Sequence, residues 1–200
     1  GPWVLKLFDL TAASTGLNEK QARAAGVAYD KVVTYSASHA SYYPGARNMT
    51  VKTLFDPASG RILGAQIVGF DGVDKRMDVL AAAIRAGLTA EQLTELDLAY
   101  APPYGSAKDP VNMAGYVIEN VRAGLVEQHH WDVVAELPAD GSVILLDVRT
   151  PGEVRKQGLL RSDALHIPLD ELRGRLGELD KEKKIYVNCY SGLRSYLACR

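Results

Sequence analysis

The sequence predicts an α+β unit followed by a smaller α/β unit built on a parallel sheet. Three observations carry this. In the first part of the chain, strand-like segments come early and helices with 3.6-residue periodicity follow, the ordering of an α+β domain. Beyond residue 135 strands and helices alternate singly, which argues for parallel strands joined by crossover helices. Between them lies a stretch without periodicity. The expected boundaries are therefore 1–124 for the first domain, 125–135 for a linker and 136–200 for the second domain.

Each element has its own signal. Residues 3–8 are apolar enough for a strand, and Asn18 stands as an N-cap for a short helix through residue 25. Residues 27–38 carry Val, Tyr and Thr at strand density. Residues 51–55 and 62–68 flank Asp56-Pro57-Ala58-Ser59-Gly60, a turn that makes them a hairpin. Val73, Met77, Leu80 and Ile84 recur at helical spacing, with Gly87 placed as a left-handed cap. Thr89 and Gln92 fit a capping box. After an irregular stretch, 99–108, Asp109 and Pro110 start a helix whose apolar face is Val111, Ala114, Ile118 and Val121 and which Gly124 can end. The second unit reads as strand 143–146, helix near Pro151, helix 169–176, strand 184–187, a loop and a further helix.

Composition narrows the function classes. The chain has 200 residues, 47% hydrophobic and 24% charged, with a formal net charge of -1. That balance gives no reason to expect nucleic acid or a membrane surface as partner. No apolar run approaches the roughly 20 residues that cross a bilayer, and no basic-then-apolar leader opens the chain. Cys189 and Cys199 are too few for a disulfide framework, so a reducing, cytoplasmic setting is expected. Asn48-Met49-Thr50 matches a glycosylation sequon by chance. The chain opens without Met and closes within what reads as an unfinished helix, so a piece of something longer is expected.

Cys189 ends an apolar strand, and the residues after it turn into a helix. Backbone N–H groups at such a turn have no partner within the helix and form a nest for an anion. A thiolate there is stabilised and becomes nucleophilic at neutral pH. Gly192 allows the tight path and Arg194 adds a positive charge. Cys199 lacks this setting and reads as an ordinary helix residue. Cys189-Tyr190-Ser191-Gly192-Leu193-Arg194 resembles the active loop of a rhodanese domain. Leu146-Asp147-Val148-Arg149-Thr150-Pro151-Gly152-Glu153 is similar to its Asp-Val-Arg motif, and His166-Ile167-Pro168-Leu169 to its Asn-Ile-Pro-Leu turn. The resemblance implies that Cys189 attacks a sulfane sulfur donor, becomes a persulfide and hands the sulfur to a thiol, with Tyr190, Ser191, Gly192, Leu193 and Arg194 forming the binding loop. Four residues separate Cys189 from Arg194, the loop length of the sulfurtransferases rather than of related phosphatases. Tyr190 stands where many rhodaneses place a basic residue, which argues against thiosulfate as donor. Val154 replaces the usual aromatic, residues 158–165 fit the family spacing poorly, and the family's final strand and helix are missing.

Tyrosine is over-used, ten against three Phe. Tyrosine packs with an apolar body and a wet hydroxyl at many surfaces, and Tyr35 and Tyr100 are read so. Tyr104, between Pro103 and Gly105, is read as a presented hydroxyl. The stretch from Tyr100-Ala101-Pro102-Pro103-Tyr104 to Lys108-Asp109-Pro110-Val111-Asn112-Met113-Ala114-Gly115, with Gly69-Phe70-Asp71-Gly72-Val73-Asp74-Lys75-Arg76 before it, resembles the C-terminal dimerisation domain of the pyridine nucleotide-disulfide reductases. More narrowly it is similar to the coenzyme A-disulfide reductase branch, fused to a rhodanese domain in the form also described as persulfide reductase. That resemblance implies a homodimer in which Tyr104, with Tyr43 or alternatively Tyr42, lies over the partner's substrate site as a hydrogen-bonding or acid group. Pro44 fixes the backbone beside Tyr43, which favours it.

The implied parent uses FAD, NAD(P)H and coenzyme A, with sulfane sulfur donors and CoA thiols or disulfides as substrates. No Gly-x-Gly-x-x-Gly follows a strand, so this chain is expected to hold no FAD or NAD(P)H by itself. A rival reading is a non-catalytic dimerisation module with a sulfur-carrying or sulfur-binding appendage; another is part of an NADH oxidase-type flavoprotein. His129 and His130 lack a third ligand at metal spacing and read as linker residues, so no metal is expected. Arg173 and Arg175 among Glu171, Glu178 and Asp180 read as a solvated helix face.

Overall fold

The computed structural model describes residues 1–200, which divide into two compact units, Gly1–Gly124 and Leu125–Arg200. The first holds β1 (Trp3–Leu7), β2 (Leu10–Gly16), α1 (Glu19–Ala24), β3 (Asp30–Ala37), β4 (Asn48–Phe55), β5 (Ile62–Gly69), α2 (Val73–Ala86), α3 (Ala90–Thr94) and α4 (Pro110–Arg122). Its five strands form an antiparallel sheet in the order β1-β2-β5-β4-β3.

Strand alternation decides which face is buried. Register sets Thr34 beside Val51 and Val51 beside Ile67, which pairs in turn with Ala13. All four positions are buried, and so are Val32, Thr53, Ala65 and Thr15 in the next row. The helices bury Val73, Met77, Leu80 and Ala83 of α2 and Val111 and Ile118 of α4 into the same core, sixteen apolar residues in all. Each large side chain of this set contributes about 1.5–3 kcal/mol of hydrophobic stabilisation. On strand positions out of phase with that core, Lys31 and Lys52 both pair with Glu19, which α1 presents. Burial pushes the Glu19 carboxyl up, but hydrogen bonds from Lys52 and Lys31 outweigh it and hold the pKa at about 2.

The caps fall where the sequence places them. Asn18, Thr89 and Asp109 each make a capping box, and Gly87 takes the left-handed conformation, φ 74°. In this unit one strand escapes the sequence reading: β2, whose Ala, Ser and Thr residues give no apolar alternation. The strand expected at 27–38 begins only at Asp30, because Val27 continues the α1 terminus by donating to the Ala22 carbonyl. All five residues of the edge strand β1 are exposed.

The second unit holds a 3-10 helix (Trp131–Glu136), β6 (Val143–Asp147), α5 (Pro151–Gln157), β7 (Leu165–His166), α6 (Leu169–Arg175), β8 (Lys184–Asn188) and α7 (Leu193–Cys199). Its strands are parallel, in the order β7-β6-β8, as the alternation predicts. Leu146, Val148, Ile167 and Leu172 form its core cluster, with Ile185, Val187 and Cys189 packed against them. No helix is long and apolar enough to cross a membrane.

Candidate functional site

β8 ends at Asn188, so Cys189 is the first residue beyond the strand, half-buried under α7. Gly192 adopts φ 96°, a path that favours glycine. The chain thereby folds back over the sulfur, and the Gly192 N–H donates to Cys189 Sγ at 3.0 Å. The thiol donates to Ser195 Oγ at 3.5 Å while the Ser195 hydroxyl donates to the Gly192 carbonyl at 2.9 Å. On deprotonation that hydroxyl has a second acceptor, the sulfur itself. Burial pushes the Cys189 thiol up, but hydrogen bonds from the Ser195 side chain and the backbone of Ser195, Ser191 and Gly192 outweigh it and hold the thiol below its ordinary value. In Cys199, by contrast, burial pushes the thiol up.

Arg194 does not bring an uncompensated charge to this loop. Its two terminal nitrogens donate to the two oxygens of Glu153 at 2.7 and 2.8 Å. Glu153 also accepts from the Thr150 N–H and hydroxyl, each at 2.8 Å, in the capping box of α5. The Arg194 guanidinium, then these Thr150 donors, hold the Glu153 carboxyl well below the usual carboxylate range. The positive charge that the sequence lends to the loop is therefore shared with a carboxylate, and the thiolate is stabilised chiefly by neutral N–H and O–H dipoles.

The Asp-Val-Arg motif forms a brace under the sheet. Arg149 donates through Nε and Nη2 to the wholly buried Asp147, and also to Gln157 Oε1 at 2.9 Å and the Gly158 carbonyl at 2.7 Å. The Arg149 carbonyl in turn meets His166 Nε2 at 2.8 Å. One buried pair thus ties the end of β6 to the C-terminal end of α5 and, through the Arg149 carbonyl, to β7. Sequence reasoning quoted the motif without assigning this work, and missed Glu153 as the partner of Arg194.

In the first unit the tyrosines lie on two loops that meet. The Ala40 N–H donates to the Pro102 carbonyl at 3.3 Å. Tyr42 and Tyr104 are 76% and 72% exposed, whereas Tyr43, at 43%, packs edge-on against His39. Tyr42 and Tyr100 share a hydroxyl–hydroxyl hydrogen bond of 3.3 Å, and that bond pushes the Tyr100 phenol above its ordinary value. Tyr100, read from the sequence as an ordinary surface tyrosine, therefore belongs to the cluster. A cleft of about 320 Å³ is lined by Lys75, Ala99, Tyr100, Ala101 and Tyr104. The structure places Tyr104 and Tyr100 on this cleft and Tyr42 against Tyr100, while Tyr43 turns to His39.

The β6-to-α5 turn is filled by the Arg149 brace and the β8-to-α7 turn by Cys189. His129 packs edge-on against Tyr186 and meets Glu127 at 3.2 Å, and no cluster of three metal-ligating side chains occurs. Arg175 pairs with Glu171 and Glu178 on an exposed face.

Comparison with known proteins places these features. Residues 4–110 match the pyridine nucleotide-disulphide oxidoreductase dimerisation domain, and residues 130–200 match the rhodanese-like domain. A coenzyme A disulfide reductase of Staphylococcus haemolyticus is 45% identical over 116 residues, 58% of this chain and 26% of that protein. The solved structure of reduced CoADR-RHD from Bacillus anthracis covers the whole chain at 49% identity and TM-score 0.95, using 35% of its own length. A NAD-dependent persulfide reductase from A. fulgidus covers 98% at 42% identity and TM-score 0.87, again with 35% of its own length. A water-forming NADH oxidase from Lactobacillus brevis, 23% identical, covers 63% of the chain at TM-score 0.60 and shares the fold alone. The chain thus spans about a quarter of the curated relatives and about a third of the solved ones.

Proposed function

The chain belongs to the pyridine nucleotide-disulphide oxidoreductase family through its dimerisation domain and continues into a rhodanese-like domain, and from that premise we propose that it is the C-terminal part of a homodimeric reductase of CoA disulfide or CoA persulfide. The observation that carries the reading is the Cys189 cradle, standing in one chain with the dimerisation domain. The relatives' names supply the CoA and persulfide chemistry.

Cys189 as thiolate attacks the outer sulfur of an organic persulfide. A bond forms between Cys189 Sγ and that sulfur, the donor's S–S bond breaks, and the electron pair leaves with the donor thiolate. Cys189 is then a persulfide, with no net change in redox state. The Gly192 N–H and Ser195 hydroxyl hold the negative charge before attack, and the exposed Tyr190 and Leu193 rim the approach. A CoA thiolate takes the sulfur by the same exchange, releasing Cys189. FAD and NAD(P)H supply the reducing electrons in the parent. On the dimerisation domain Tyr104, with Tyr43 or Tyr42, faces the partner subunit's substrate site, where a phenol hydroxyl donates to the departing CoA thiolate.

Two measurements on the full-length protein test this. Treatment with glutathione persulfide is expected to add the mass of one sulfur atom to Cys189, and CoA to remove it. NAD(P)H oxidation with CoA disulfide is expected to fall by about 10²-fold in Tyr104→Phe. A Cys189 that stays unmodified by persulfide, beside a folded control, turns the reading to a dimerisation module with an inert appendage.

A further inference from the structure

We infer that Arg76 is a positioning residue that locks the 38–45 and 99–105 loops into one platform for the tyrosine hydroxyls. The inference rests on the proposed role of those tyrosines and adds the device that holds them in place.

Arg76 sits on the buried face of α2, between Val73 and Leu80, and is 1% exposed. Burying a guanidinium is costly unless every donor finds an acceptor. Here Nη2 donates to the Ser38 carbonyl at 2.9 Å, at the root of the first loop, and to the Tyr104 carbonyl at 3.4 Å, in the second. Nη1 donates to the Gly72 carbonyl at 3.2 Å. Nε and Nη2 grip Asp109 at 3.1 and 2.9 Å.

Asp109 carries the fixation onward. It accepts from the Val111 N–H at 3.0 Å as the cap of α4, and its own N–H donates to Asn112 Oδ1 at 3.1 Å. Asn112 Nδ2 donates to the Leu93 and Leu96 carbonyls at 2.9 and 3.0 Å, securing the chain that leads to Tyr100. Even the room for the fork is arranged: a Cβ on Gly72 would stand 2.1 Å from Arg76 Nη1. A Leu or Met would fill the space with less desolvation, yet would leave the Ser38 and Tyr104 carbonyls without this donor. Lysine offers a point charge in place of a planar fork and does not reach all four groups together. The arrangement is therefore fitted to holding two loops in register.

The test uses Arg76→Lys in the full-length protein. Hydrogen exchange at the Ala40, Tyr43, Tyr104 and Gly105 amides, each hydrogen-bonded within or between the loops, is expected to quicken about tenfold or more while β4 and β5 amides keep their protection. Unchanged loop exchange, or equal acceleration throughout the unit, overturns the inference. Turnover of CoA disulfide gives a second readout. If Arg76 acts through the platform, Arg76→Lys lowers kcat, and the Arg76→Lys/Tyr104→Phe double variant is no slower than Tyr104→Phe alone. Multiplying effects overturn it. If Tyr104→Phe by itself leaves kcat untouched, the proposed tyrosine chemistry fails, and loop exchange still judges the lock. Should Arg76→Lys not fold, Arg76→Gln/Asp109→Asn carries the same test with no buried charge. In the unaltered protein those four amides are expected to exchange as slowly as the first turn of α4, and fast exchange there overturns the lock without any variant.

Discussion

Each unit holds a buried arginine–aspartate pair, but the reach of the two arginine side chains differs. The Arg149 side chain meets partners no more than nine residues away: Asp147, Gln157 and Gly158. Arg76 meets Asp109, Ser38 and Tyr104 across 28 to 38 residues. Closing a short loop costs little chain entropy, so the second unit organises its cysteine turn around a core of four fully buried apolar residues. The tyrosine platform gathers distant segments and needs the sixteen-residue core that holds α2 and α4 on the sheet.

That contrast can be broken most sharply at Cys189. Replacing it with Ser is expected to lower sulfur transfer from glutathione persulfide by at least about 10³-fold, while reduction of CoA disulfide by the full-length protein changes little. Equal loss of both activities in steady-state assays would mean the two sites do not act separately. Next in size is Asp147→Asn, which leaves a buried guanidinium without its carboxylate. Removing one partner of such a pair costs about 3–5 kcal/mol, enough to open the thin second unit first. Hydrogen exchange should then show β6 and β8 amides losing protection while β4 and β5 keep theirs.

Glu19 offers the matching change in the first unit. Its folded pKa, about 2, lies below the ordinary 4.5, so the stability it contributes is complete above 4.5 and is lost as pH falls toward 2. Glu19→Gln is expected to cost on the order of 2 kcal/mol at neutral pH and to flatten the acid limb of urea unfolding in that window, with the second unit unaffected. The smallest effect concerns the thiol. Alkylation of Cys189 should show its inflection below that of the denatured chain. Ser195→Ala should raise it only part of the way toward the denatured value, because the backbone donors remain. An unmoved inflection would assign the whole effect to those donors.

The legibility of the two sites follows the same division. Cys189 to Arg194 is a contiguous run after an apolar strand, and its turn, its glycine at positive φ and its helix all appear where the sequence places them. The caps at Asn18, Thr89 and Asp109 are contiguous in the same way. β2 stays hidden because Ala, Ser and Thr become strand residues only between β1 and β5, and β7 because two residues carry no period.

The sequence by itself determined the helices, most of the strands, the caps, the parallel second sheet and the cysteine turn, because each depends on backbone sterics and hydrogen bonds within a few residues. The tertiary structure alone decided that Glu153 neutralises Arg194, that Tyr42 meets Tyr100 and that Arg76 binds two loops at once. Those choices depend on which distant groups lose water together. A buried charge acquires its partner only when the segments carrying both have already packed.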